Sequence, residues 1–173
     1  GQALLGERRN SLTTAANAAI QLGRGAQAEK MARELLAHPP RQASELDLRI
    51  VTSRHRTQLA HALAMQGRNA EARTELAESL RFNRERQQAG ESSIVFARDF
   101  AHALYVDALV SPAGSAERSR ALAEAGGLIA GTSAEARQTS DMRLLSRWIA
   151  AAGTASGTAA AGSPATAGPA RAD

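Results

Sequence analysis

The stretch LAHALAMQGRNAEA, residues 59–72, joins two helical patterns through a single glycine. Apolar or small residues recur at Leu59, Ala62 and Leu63 before Gly67, and the pattern resumes at Ala72. Spacings of three and four residues indicate amphipathic helices, and the glycine marks a turn between them. A turn of about three or four residues joins antiparallel helices. The stretch therefore predicts a helical hairpin.

The first helix of this hairpin has a marked beginning. Ser44 is followed three residues later by Asp47, directly after the segment PPRQA at residues 39–43. This arrangement resembles a capping box with Asp in place of Glu, so it predicts a helix from about residue 44 to residue 66. Such a helix is about 34 Å long at 1.5 Å per residue.

The hairpin pattern has an earlier copy and a later copy, and the later copy begins with FAHAL at residues 100–104. The interval from the glycine to the following alanine is the same in the first two copies. The third copy departs at its turn, VSPAGSAERS, which is longer and lacks a glycine at the matching position. The first copy has Ala15, Ala16, Ala19, Gly23, Ala28, Ala32, Leu35 and Leu36, the second has Leu59, Ala60, Leu63, Gly67, Ala72, Leu76, Ser79 and Leu80, and the third has Phe100, Ala101, Leu104, Ala121, Ala125 and Ile129.

In these positions the chain resembles the tetratricopeptide repeat family over about residues 9–130. Its spacings of 44 and 41 residues exceed the usual repeat length and are similar to those of the kinesin-light-chain type, in which the first helix is extended. The resemblance implies an all-α, right-handed α-solenoid of three antiparallel helical hairpins plus a C-terminal capping helix. A plain alanine-rich helical bundle is the alternative.

Composition agrees with an all-α fold. Apolar residues make up 43% of the chain but aromatic residues only 3%, and alanine supplies most of the apolar share. We expect one helical domain over residues 1–152 and a disordered Ala/Gly/Ser/Thr/Pro-rich tail over residues 153–173. Residues 133–151 are the expected cap, with an apolar face of Met142, Leu145, Trp148 and Ile149 that packs on the last hairpin.

The net charge of +4 comes almost wholly from arginines that are dispersed among acidic residues. Two clusters are the candidates for nucleic-acid binding, but acidic residues lie among them and no motif that reads a groove follows, so no nucleic-acid partner is expected. The clusters are Arg49, Arg54 and Arg56, and Arg81, Arg84 and Arg86.

No catalytic motif is evident in the sequence. There is no cysteine, the four histidines lack the spacing of a metal site, and no phosphate-binding loop or nucleophile motif appears. We therefore expect no enzyme activity, cofactor or metal in this segment. No apolar run is long enough to span a membrane. Because the chain begins at Gly1, we expect a fragment, the C-terminal part of a larger bacterial signalling or regulatory protein, with the compartment open and the cytoplasm favoured.

The resemblance implies a concave groove formed by the first helix of each hairpin. Amide, guanidinium and imidazole groups suit an extended peptide, and Arg54 with Arg98 would bind a carboxylate. We therefore expect a protein or peptide partner that carries acidic groups. A solvated helix face is the alternative reading of these residues, and a structural or oligomerisation domain is the alternative function. The predicted groove residues are Asn10, Thr13, Asn17, Gln21, Arg54, Thr57, His61, Met65, Arg98, His102 and Tyr105.

Overall fold

A computed structural model of the chain describes residues 2–40 and 42–160, and this part is helical without any strand. The all-α prediction is confirmed. None of the described helices combines the length and apolar character needed to cross a membrane. The helices are α1 Gln2–Gln21, α2 Gly25–Ala37, α3 Glu45–Met65, α4 Asn69–Gln88, α5 Ile94–Val110, α6 Ala116–Ala130, α7 Ala134–Arg137 and α8 Ser140–Ala160.

Consecutive helices pack as antiparallel pairs. An ion pair of 2.7 Å joins Arg8 near the start of α1 to Glu34 near the end of α2. In the second pair, Arg49 of α3 is 2.6 Å from Glu85 of α4, again joining an early residue to a late one. Helices α5 and α6 form the third pair, and α8 packs on both of them.

The first two pairs turn in the same way. Gly23 and Gly67 have φ angles of +73° and +74°, a left-handed conformation that glycine adopts without steric cost. In each turn the residue after the glycine donates its backbone N–H to the carbonyl five residues earlier, which is a Schellman helix end. These hydrogen bonds run from Arg24 to Ala19 at 2.8 Å and from Arg68 to Leu63 at 3.0 Å.

The third turn departs from the first two, as predicted. Its loop runs from Ser111 to Ser115 and is longer than the others, and its left-handed glycine, Gly114 with φ of +75°, lies outside the aligned position. Gly114 follows Gly67 by 47 residues, six more than the spacing of 41 between the second and third copies. Ser115 then caps α6 by accepting a hydrogen bond from the N–H of Arg118.

Alanines lie where the helices approach most closely. Ala16, Ala60 and Ala72 are fully buried, and Ala28 is 1% exposed. Side chains this small let helix axes come close together, so the burial matches the predicted role of these positions. Ser44 begins α3 as predicted, with its hydroxyl accepting a hydrogen bond from the N–H of Asp47.

The segment predicted as a single cap forms two helices. The short α7 ends because Gln138 and Thr139 donate their N–H groups to carbonyls three residues back, which tightens the last turn. Helix α8 then continues to Ala160, eight residues past the predicted domain boundary at residue 152. The rest of the predicted tail, residues 161–173, lies outside the described residues.

Candidate functional site

A groove with a volume of about 150 Å³ lies between α1, α3, α5 and α8. The first helix of each antiparallel pair therefore contributes to it, and α8 forms the remaining wall. Its lining comprises Thr13, Asn17, Ile20 and Gln21 of α1, Arg54 and Gln58 of α3, Arg98, Asp99 and His102 of α5, and Asp141, Leu144, Leu145 and Trp148 of α8.

Six of the eleven predicted residues meet in this groove: Thr13, Asn17, Gln21, Arg54, Arg98 and His102. Asn10 is exposed and does not line it, and Met65 packs instead against the cluster around Ala19 and Ile20. Thr57 is buried, and its hydroxyl donates to the backbone carbonyl of Ser53 at 3.1 Å. The helix rotation that brings Arg54 to the groove thus turns Thr57 inwards.

His61 and Tyr105 are buried behind the groove rather than on it. Nδ1 of His61 lies 3.0 Å from Nε2 of His102, and the indole of Trp148 meets the His61 ring edge-on at a centroid distance of 5.3 Å. Trp148 also stacks on Tyr105 with centroids 5.6 Å apart. Trp148 therefore packs on the third helix pair, as predicted, and in addition lines the groove.

Burial depresses the basicity of the histidines in this region. The pKa of His61 is well below its ordinary value because the ring is buried, and the neighbouring His102 lowers it further. The pKa of His102 falls to about 4, mainly through burial, against an opposing effect of Asp99. Since one ring must donate and the other accept, the contact holds with both rings neutral.

The two groove arginines already bind a carboxylate of the same chain. Arg54 donates to both oxygens of Asp99, at 3.2 Å from Nε and 2.9 Å from Nη2, and Nη2 of Arg98 donates to Oδ1 of the same residue at 3.0 Å. The Asp99 side chain is only 7% exposed. Arg98 also lies 3.7 Å from Asp141. Two guanidinium groups thus face two carboxylates, so the charged lining balances.

The other candidate arginines for nucleic-acid binding are ion-paired as well. Each lies within 4 Å of a carboxylate, so neither cluster is a group of unpaired positive charges. The pairs are Arg49 with Glu85, Arg56 with Glu75, Arg81 with Glu78, Arg84 with Glu124 and Arg86 with Glu91.

Asn17 and Gln58 connect α1 to α3 at the groove. Nε2 of Gln58 donates to Oδ1 of Asn17 at 2.6 Å. Together with the Arg54–Asp99 and His61–His102 contacts, this pair fixes the three helices side by side. Arg54 contacts Asp99, and His61, later in α3, contacts His102, later in α5. The two helices therefore run parallel.

Sequence reasoning missed Gln58, Asp99, Ile20 and the α8 wall. Helical spacing alone would have found the first two, because Gln58 lies four residues after Arg54 and Asp99 three residues before His102. The α8 residues carried no such signal, because an apolar helix face indicates packing on a neighbouring helix as readily as it indicates the wall of a groove.

Comparisons with known proteins add no relative: no family model, curated protein or solved structure matches the chain significantly. The tetratricopeptide repeat resemblance therefore rests on the residues themselves. Within residues 2–40 and 42–160, no three His, Asp or Glu side chains come together in a way that could hold a metal ion.

Proposed function

We propose that this chain is a tetratricopeptide-repeat-like α-solenoid module that binds a peptide or protein segment, without catalysis, in the groove between α1, α3, α5 and α8. The observation that supports it is the convergence of the first helices of all three pairs on one groove. Concave sites with a few fixed polar groups are typical of ligand binding.

The groove walls are held in place before any ligand arrives. Gln58 bonds Asn17 across α1 and α3, and Arg54 bonds Asp99 across α3 and α5. A preformed site loses less conformational entropy on binding, which favours affinity. This rigidity supports a binding role over that of a solvated helix face.

Selection from a displayed library of random peptides tests the proposal. Leu144 is half-buried in the groove, and Leu144→Arg should abolish binding of the selected peptides because it fills the groove with a charged side chain. Leu46→Arg is the control, since Leu46 is 57% exposed and does not line the groove. Circular dichroism confirms that both variants fold. Failure to enrich any peptide, or equal binding by Leu144→Arg, rejects the function.

A structural or oligomerisation role is the second candidate, and one observation favours it. Leu46 at the start of α3, and Ile94 and Val95 at the start of α5, are 57%, 49% and 44% exposed. Because α3 and α5 are parallel, these apolar side chains lie at the same end of the molecule. Light scattering over a range of concentrations tests this role: a mass that rises in wild type and not in Ile94→Glu supports it.

A further inference from the structure

One buried acceptor at the groove has no partner. Gln58 is 2% exposed, and while its Nε2 donates to Asn17, its Oε1 makes no hydrogen bond. A buried carbonyl oxygen without a donor destabilises the folded chain, because it has lost its hydrogen bonds to water. In the described part of the chain, Oε1 of Gln58 is the one buried side-chain oxygen or nitrogen in this condition.

Polar groups elsewhere in the interior have hydrogen-bond partners. The hydroxyl of Ser79 donates to the carbonyl of Ser53 at 2.7 Å, and the amide of Asn83 donates to the carbonyl of Ser79 at 2.9 Å. These groups are buried between α3 and α4, whereas Gln58 lines the groove. Gln58 lines the groove while its Oε1 is covered by neighbouring atoms, so a donor that enters the groove reaches this acceptor when the amide group rotates.

The surroundings of Gln58 restrict what that donor is. Charges balance across the groove, so a net-charged group gains no net attraction there. Apolar surface comes from Ile20, Leu145 and Trp148. A volume of about 150 Å³ is close to that of a cavity known to hold benzene, so it accommodates one residue of a chain.

We propose that Gln58 and Asn17 form a subsite for one neutral peptide group. The ligand N–H donates to Oε1 of Gln58, the ligand carbonyl accepts from Nδ2 of Asn17, and an adjacent apolar side chain packs on Trp148. The subsite rests on the proposed peptide-binding function and specifies what is recognised: an uncharged amide rather than the acidic group that the arginines suggested from sequence.

Small amides test the subsite directly. N-methylacetamide carries an N–H and a carbonyl, N,N-dimethylacetamide carries only the carbonyl, and acetate carries a charge. Each is titrated into isotope-labelled protein while the indole N–H signal of Trp148, the only tryptophan, and the side-chain amide signal of Gln58 are followed by NMR. We expect N-methylacetamide to bind about tenfold more tightly than either of the others, the effect of one donor to a buried acceptor.

Variants test the role of Gln58 itself. Gln58→Met keeps the length of the side chain without the amide and should remove the preference for N-methylacetamide. Gln88→Met, at an exposed amide that does not line the groove, should keep it. If Gln58→Met does not fold, the three probes compared on wild type still decide.

Three results overturn the subsite: equal binding of the two amides by wild type, preferential binding of acetate, or no shift of the Trp148 signal with any probe. The subsite is also overturned if folded Gln58→Met still prefers N-methylacetamide. If one of these results is found and peptide selection succeeds, the subsite is rejected but the peptide-binding function is not. Selection that recovers no peptide rejects the function itself.

Discussion

His61 and His102 share a hydrogen bond of 3.0 Å between Nδ1 of the first ring and Nε2 of the second. The two residues occupy the same place in the repeated segments LAHAL and FAHAL, so the sequence echo becomes a physical contact between α3 and α5. Trp148 covers both rings from α8. A proton on the accepting nitrogen would place two N–H groups face to face and break the contact.

Stability should fall as the pH is lowered from about 6.5 to about 4. Burial lowers the pKa of His55 and of His102 to about 4, whereas the unfolded chain binds protons near 6.5. Between these values the unfolded state holds more protons, so the free energy of unfolding rises with pH in this window. The loss for His55 is on the order of 3 kcal/mol. Urea unfolding at a series of pH values measures it.

His55→Leu should reduce the slope of that profile by the share of one histidine, while His38→Gln, at an exposed site at the end of α2, should leave it unchanged. Carboxylates contribute at lower pH: the hydrogen bond from Arg86 holds the pKa of Glu91 below its usual range. The comparison is therefore made above pH 5, where histidines dominate. A wild-type profile without slope there would contradict the assignment.

Local signals in the sequence were sufficient for the first two helical hairpins and their turns. Gly23 and Gly67 mark turns because only glycine adopts a left-handed φ without cost, and Ser44 marks a helix start because its hydroxyl satisfies a free N–H. Each of these effects acts within a few residues of the sequence. They can therefore be predicted without knowing which helices pack against that segment.

The residues of the groove were harder to predict, because the groove is formed by contacts between helices that local sequence signals do not encode. A one-position error in helix rotation moves Thr57 from the groove to the interior, and pairing of Arg54 with Asp99 depends on where α5 lies relative to α3. For this reason the sequence placed six of eleven residues in the groove but missed the charge balance that removes its preference for anions.

Removing both arginines around Asp99 should destabilise the protein. Arg54→Leu combined with Arg98→Leu leaves a carboxylate that is 7% exposed without its partners, at a cost of about 3 kcal/mol. Charge reversal at the two positions would therefore affect the fold as well as binding. Adding Asp99→Leu should restore most of the loss. Chemical denaturation measures all three variants.

The control for that cycle is Arg49→Leu. Arg49 pairs with Glu85, but both side chains are nearly half exposed, so the expected loss is below about 1 kcal/mol. If the double variant is as stable as Arg49→Leu, the buried carboxylate is not held by the two arginines.

Ala72→Phe should destabilise the second helix pair. Ala72 is fully buried against the core, and a ring there forces α3 and α4 apart. Overpacking of this kind costs about 3 kcal/mol, which lowers the melting temperature by roughly 10 °C. Ala77→Phe is the matched control on the exposed face of the same helix. Equal melting temperatures for the two variants would contradict the packing of α4.

Two glycine substitutions should change stability in opposite directions. Gly67→Ala places a Cβ at φ of +74°, where it meets no other atom but strains the backbone, so we expect a loss of about 1–2 kcal/mol. Gly127→Ala also meets no atom within 4 Å, but it lies inside α6 with ordinary helical geometry. There alanine restricts the unfolded chain and should add about 0.5–1 kcal/mol. Since neither side chain gains or loses a contact, thermal unfolding of the pair isolates backbone conformation, and a gain in stability for Gly67→Ala would show that this turn is not left-handed.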